Sequence, residues 1–170
     1  MQSNTGSLAP EFSDCIDALH HYRVSFVLVG GYAVGFHGVV RATGDIDFLY
    51  KQTEQNVNAL CAALRRFGAP EHLIDRNFLL SKNAVTQIGL EPLRIDLLSS
   101  ISGVSFEEVR SGAESIILDS KSLLVIGLNE LRRNKAATGR AKDKQDLQRL
   151  QQLSAENAKV PRIRRKPERG

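Results

Sequence analysis

Asp45 and Asp47 stand one residue apart in the run Asp45-Ile46-Asp47-Phe48-Leu49-Tyr50. Side chains of an extended chain alternate between faces, so the two carboxylates share a face and Ile46 takes the other. Adjacent carboxylates repel, and near a core they are costly without a cation. A hard divalent ion with oxygen ligands, Mg2+ or Mn2+, resolves that conflict. Gly30-Gly31 stands upstream, with thirteen residues between it and Asp45. The pair ends the apolar run Phe26-Val27-Leu28-Val29, which is β-branched, bounded by glycine and reads as a buried strand. After it Tyr32, Ala33 and Phe36 recur at helical spacing. A strand that turns through glycines into a helix leaves backbone N–H groups aimed at one spot. They favour an anion, and glycine lets a phosphate approach closely. Phosphate-binding backbone beside metal-binding carboxylates is the equipment of phosphoryl or nucleotidyl transfer.

Other polar residues carry two readings each. Arg41 can meet phosphate as a fixed fork of donors, or it can form a salt bridge that shapes the loop or neutralises Asp45 and Asp47. His37 can carry protons, but on a helix packed over a sheet it reads as a hydrogen-bonded structural residue. Thr43 precedes the Gly44-Asp45 turn and suits a local bond from side chain to backbone. In the strand Leu93–Leu98, Arg94, Asp96 and Leu98 share a face, and an aspartate there can simply pair with Arg94. Asp143, Asp146 and Arg149 are spaced one turn apart, as in the ion pairs of a solvated helix. His20-His21 are sequence neighbours that point apart on a helix, so they read as a surface or partly buried pair rather than a metal site.

The elements that must position these residues follow from period and punctuation. A helix is expected from a cap at Ser13 or Asp14 to about Tyr22. Glu54–Phe67 is amphipathic, with Val57, Leu60, Cys61, Leu64 and Phe67 inward, and Gly68 stops it. Phe78–Leu80, Ala84–Leu90 and Leu93–Leu98 read as short strands, an antiparallel run closing the sheet. Ser105 and Glu108 form a capping pattern for a short helix. Glu114–Leu118 and Ser122–Ile126 read as brief strands. Gly139 separates helices over about 128–138 and 141–153. The order implies an α/β (α+β) fold, a mixed sheet flanked by helices, in one domain over 13–153 with C-terminal helices.

The limits are consistent with that. At 170 residues the chain suits one domain with a real core. It is 42% hydrophobic and 25% charged, which is the balance of a soluble globular chain and excludes a low-complexity or fibrous one. No apolar run approaches a membrane span, and no signal peptide is visible. Cys15 and Cys61 have no clustered partners, which fits a reducing cytoplasm and excludes a disulfide scaffold. Residues 1–12 are expected to be an unstructured or cloning-derived lead-in. Residues 154–170 read as a flexible basic tail. Its last twelve residues hold six Lys/Arg and one Glu, so the net charge of +4 leaves the body at −1. The body is therefore no basic nucleic-acid surface, although the tail alone can touch RNA phosphate.

The spacing from Gly30-Gly31 to Asp45-Ile46-Asp47 resembles the signature of the DNA polymerase β-like nucleotidyltransferase superfamily. The pattern GG-x-A-x3-HG-x2-R-x-T-x-DID is similar, more narrowly, to its minimal and AbiEii-toxin-like members. The resemblance covers about residues 13–153. It implies a third carboxylate on a later strand, a place that Asp96 fills. It implies metal ligation by Asp45, Asp47 and Asp96, with Asp96 nearer the acceptor. Lys135-x4-Arg140-x-Lys142-Asp143-x2-Asp146-Leu147 resembles the tail motif of the same branch. Lys135 is then expected to bind the triphosphate or stabilise charge, and Asp143 to orient Lys135 or Arg140 or assist the acceptor hydroxyl. The implied nucleotide contacts are Gly30, Gly31, Arg41, Thr43, Lys135 and Arg140. The implied reaction moves a nucleoside monophosphate from a nucleoside triphosphate to a hydroxyl of a protein, a tRNA or a small molecule. A toxin–antitoxin or defence setting, a cognate partner protein and a monomeric or homodimeric state go with that reading. The competing expectation is a silent nucleotide-binding or antitoxin module of the same fold.

Overall fold

A computed structural model describes residues 7–159. Among them one mixed sheet of six strands is flanked by seven α-helices. In chain order these are α1 (Pro10–His21), β1 (Phe26–Val29), α2 (Gly30–Phe36), β2 (Asp45–Tyr50) and α3 (Glu54–Phe67). After one 3₁₀ turn at Glu71–Leu73 come α4 (Arg76–Leu79), β3 (Val85–Ile88), β4 (Arg94–Leu98), α5 (Phe106–Gly112), β5 (Glu114–Leu118), β6 (Lys121–Val125), α6 (Leu128–Thr138) and α7 (Ala141–Lys159). The strand order is β3-β4-β2-β1-β6-β5. β1 runs antiparallel to β2 and parallel to β6, while β2 runs parallel to β4. No helix among the described residues is long and apolar enough to cross a membrane.

The sheet has one oily face and one chemical face. Ile46, Phe48 and Tyr50 alternate with Asp45 and Asp47 and are fully buried. Phe26 meets Phe48 edge-on at 5.3 Å, and His20 of α1 lies over Phe26. α3 packs along α1 on this side. Its Asn56 ties the layer to the sheet by binding the backbone of Ser25 and Lys51. The opposite face carries the aspartates and is overhung by α6 and α7.

Most local expectations hold for the expected reasons. Thr53 caps α3, and Gly68 ends it with a left-handed φ of 87°. Ser105 and Glu108 form the reciprocal capping box of α5. Four expectations need correction. Phe78–Leu80 is no strand: Asp75 accepts from the N–H groups of Asn77 and Phe78 and starts α4 there. α1 begins at Pro10 rather than near Ser13, because Pro occupies its first turn. Within the lead-in expected to be unstructured, Leu8 and Phe12 are buried, and the Leu8 N–H donates to Asp119. α7 continues to Lys159 instead of stopping at 153. Arg132 of α6 binds the Leu150 carbonyl and the Ser154 hydroxyl, which extends the helix contact past the predicted end. The rest of the expected basic tail, 160–170, lies outside the described residues.

Candidate active site

Register builds the site. In the parallel β2–β4 pair, Asp45 is opposite Arg94 and Asp47 is opposite Asp96. Opposed residues share a face, so two sequence-distant dipeptide patterns merge into one polar patch. One ligand oxygen from each of Asp45, Asp47 and Asp96 lies within 4.8 Å of the others. The patch floors a cleft of about 620 Å³. Gly30, Gly31, Arg41, Lys135, Arg140 and Asp143 also line it, so nearly every residue singled out in the sequence converges there.

The glycines serve Asp47 as much as a ligand. Gly30 has a φ of +68°, and a Cβ there would collide with the Asp47 carboxylate. The Gly31 N–H donates to the same carboxylate. A Cβ on Gly31 would press on Thr43 and Arg41. The pair thus lets an acidic strand lie against the β1–α2 turn. Thr43 does not line the cleft directly but stands behind Gly31. Its hydroxyl lies 3.1 Å from the Asp45 carbonyl and 3.0 Å from Asp45 Oδ1, the local bond foreseen, and it orients Asp45. His37 is structural, its Nε2 2.8 Å from the Ile126 carbonyl.

Across the cleft, α6 and α7 hold a second cluster. Lys135 and Asp143 are buried, contrary to the solvated-helix reading. Lys135 Nζ is 2.6 Å from Asp143 Oδ1 and 3.4 Å from Asp146 Oδ2. Thr138 and Arg140 both donate to Asp143 Oδ2 at 2.7 Å. Arg41 does not pair with Asp45 or Asp47; its Nε lies 3.1 Å from Asp146 Oδ1. The salt-bridge reading of Arg41 holds with a different partner, and the arginine still faces the cleft.

The two clusters differ electrically. Burial, then Asp45, then Asp96 push the Asp47 carboxyl up to about 7. Burial also acts on Asp143, but hydrogen bonds from Lys135, Thr138 and Arg140 outweigh it and hold that carboxyl down at about 2. Sequence reasoning did not assign Arg94 or Asp146 to the site. Alternation placed Arg94 on the Asp96 face, but its contact with Asp45 depends on strand pairing. Asp146, 1% exposed, shows in sequence only as a residue one turn from Asp143.

Three hard oxygen donors converging at the cleft floor, one of them held up in pKa by burial and then by its two acidic neighbours, fit a divalent cation. With that geometry in hand, similarity to known proteins becomes informative. Lincosamide antibiotic adenylyltransferase LnuA, in its lincomycin-bound structure, superposes with a TM-score of 0.55 at 14% identity, over 86% of this chain and 98% of that one. The chain has a nucleotidyltransferase fold. A Thermotoga maritima protein (TM1012) assigned as a nucleotidyltransferase superposes with a TM-score of 0.52 at 10% identity, over 92% of this chain and 97% of that one. No family model matches the chain, and no curated protein matches its sequence. At these identities the likeness is one of fold.

Proposed function

We propose that the protein is a divalent-metal-dependent nucleotidyltransferase that moves a nucleoside monophosphate from a nucleoside triphosphate to a hydroxyl of a small molecule. The observation that carries this reading is the convergence of Asp45, Asp47 and Asp96 on the floor of a cleft walled by Lys135 and Arg140. A divalent ion, Mg2+ or Mn2+, bound by these carboxylates supplies charge neutralisation and polarises the phosphate. Lys135, aimed by Asp143 and Asp146, and the exposed Arg140 attract the triphosphate and offset charge on the departing pyrophosphate. Asp96 lies toward β3 and accepts the proton of the acceptor hydroxyl. Gln87 donates to Asp96 Oδ2 at 3.2 Å and fixes its orientation.

The acceptor class rests on the wall beyond Asp96. Val85, Leu98, Ile101, Ser100 and Ser102 form it, without a charged group. Such a wall suits a neutral, hydroxylated, partly apolar molecule better than the polyanionic end of a tRNA or a charged protein surface. The fold likeness to an enzyme crystallised with lincomycin points the same way. The AbiEii-like placement, with its toxin–antitoxin setting, rests on the Gly30–Asp47 pattern and the Lys135–Asp146 motif, and a cytoplasmic location on the two free, buried cysteines.

Calorimetric titration with ATP, GTP, CTP and UTP, with Mg2+ and with EDTA, tests the reading. Magnesium-dependent binding to the wild type, lost in Asp45→Asn/Asp47→Asn, is the expected result. A folded protein that binds no nucleotide would overturn it in favour of a silent regulatory module.

A further inference from the structure

Three carboxylates within 4.8 Å of one another demand positive charge. The protein already places one there. The Arg94 guanidinium sits between Asp45 and Asp96: Nη2 is 2.5 Å from Asp45 Oδ2 and 3.1 Å from Asp96 Oδ2, and Nε is 2.8 Å from Asp96 Oδ1. Its remaining arm, Nη1, points outward to Glu91 Oε1 at 3.0 Å. The Glu91 side chain lies over Gly44, where a Cβ would crowd it. Lys135 cannot play the same part, because Asp143 and Asp146 hold it on the other side of the cleft.

Two of the three carboxylates that a divalent ion requires are therefore bound to a cation that belongs to the chain. The donors of the guanidinium fork use the carboxylate lone pairs that face the cluster. A metal ion needs the same lone pairs. Glu91 is largely exposed, so a guanidinium that leaves the carboxylates has an anionic seat at the cleft rim.

We propose that Arg94 is a resident counter-ion that competes with the divalent cation for Asp45 and Asp96 and withdraws toward Glu91 when the cation binds. The proposal rests on reading the three carboxylates as a metal site. Its consequences are specific. Without metal, Arg94 keeps Asp45 and Asp96 in place, so the site is preorganised. Metal alone binds weakly, because it must displace the arginine. The displaced guanidinium keeps Nη1 on Glu91 and frees the Nε and Nη2 donors that bound the aspartates, which a nucleotide phosphate at the lip of the cleft can take. Metal and nucleotide then favour each other by the same factor in both directions.

The test is Mn2+ titration of the full chain followed by electron paramagnetic resonance, without nucleotide, with thermal melts to establish folding. Arg94→Gln is expected to bind Mn2+ about tenfold more tightly than wild type. Arg94→Lys keeps the charge but loses the fork, so it falls between the two. Glu91→Gln removes the outer seat and binds several-fold more weakly. Unchanged or weaker binding in Arg94→Gln overturns the proposal while leaving the metal site intact. Tighter binding in Arg94→Gln with wild-type affinity in Arg94→Lys also overturns it, since net charge alone then explains the effect. No Mn2+ binding to wild type or variants overturns the metal site and this proposal together. If Arg94→Gln does not fold, the opposite shifts expected of Arg94→Lys and Glu91→Gln carry the test.

Discussion

The two polar clusters that face each other across the cleft are built on opposite electrostatic plans. On the sheet, Asp45, Asp47 and Asp96 have one guanidinium among them, and Asp47 is pushed up to about 7. On the helices, Asp143 and Asp146 are matched by Lys135, Arg41 and Arg140, and Asp143 is held down at about 2. The first cluster keeps an unmet demand for positive charge, which is what a cation site requires. The second is matched in charge: although Asp146 Oδ2 and Arg41 Nε lack a hydrogen-bond partner, its buried ion pairs and the bonds to Asp143 hold the members in one geometry. Binding capacity and positioning are thus assigned to different layers of the same fold.

That contrast can be broken first on the helix side. Lys135→Met leaves Asp143 and Asp146 buried without their ammonium, and loss of one partner of a buried pair costs about 3 kcal/mol or more. Urea denaturation of the metal-free protein should show this loss, the largest single effect expected. A change below 1 kcal/mol would mean that the two aspartates are better hydrated than their burial implies.

The sheet side should respond to pH in the opposite sense. The folded pKa of Asp47 is raised from 3.8 to about 7. Its contribution to stability is complete below about pH 4 and is lost as pH rises through 7. Metal-free wild type should therefore melt at a lower temperature at pH 8 than at pH 5. Asp47→Asn should flatten that slope and raise the melting temperature at pH 8, while losing metal binding. Asp143 has the reverse sign: its stabilisation is present above about pH 4 and disappears as pH falls toward 2, so it is silent in this window. Melting curves at the two pH values, with and without Mg2+, separate the clusters; a wild-type melting temperature that is flat or rises from pH 5 to 8 would contradict the assignment.

The smallest effect is expected where the second cluster meets solvent. The Arg140 side chain is 73% exposed although it bonds to Asp143. Arg140→Ala should change stability by less than about 0.5 kcal/mol yet weaken nucleoside triphosphate binding, so the two readouts should separate. Equal losses in both would make Arg140 a structural residue.

Local sequence was enough for a large part of this. The alternation in Asp45-Ile46-Asp47 set which side chains face the cleft, because strand side chains alternate whatever surrounds them. The strand-to-glycine-to-helix turn, the ends of α3 at Thr53 and Gly68, and the Ser105–Glu108 cap were legible because each depends on a few adjacent residues. The short apolar run Phe78-Leu79-Leu80 misled because three residues carry no period; the Asp75 cap just upstream was the usable signal.

Strand pairing and helix docking decided the rest. Arg94 reaches Asp45 across 49 residues of sequence because β2 and β4 are parallel and in that register; a shift of one residue would send the arginine to the other face. Asp146 became a partner of both Arg41 and Lys135 only when α7 closed over the loop before β2. The sequence alone determined the acidic strand, the glycines and the amphipathic helices, since those follow from backbone geometry and local period. The tertiary structure decided which charges meet and which remain uncompensated, since Coulomb energy and desolvation depend on distances and burial that no local pattern encodes.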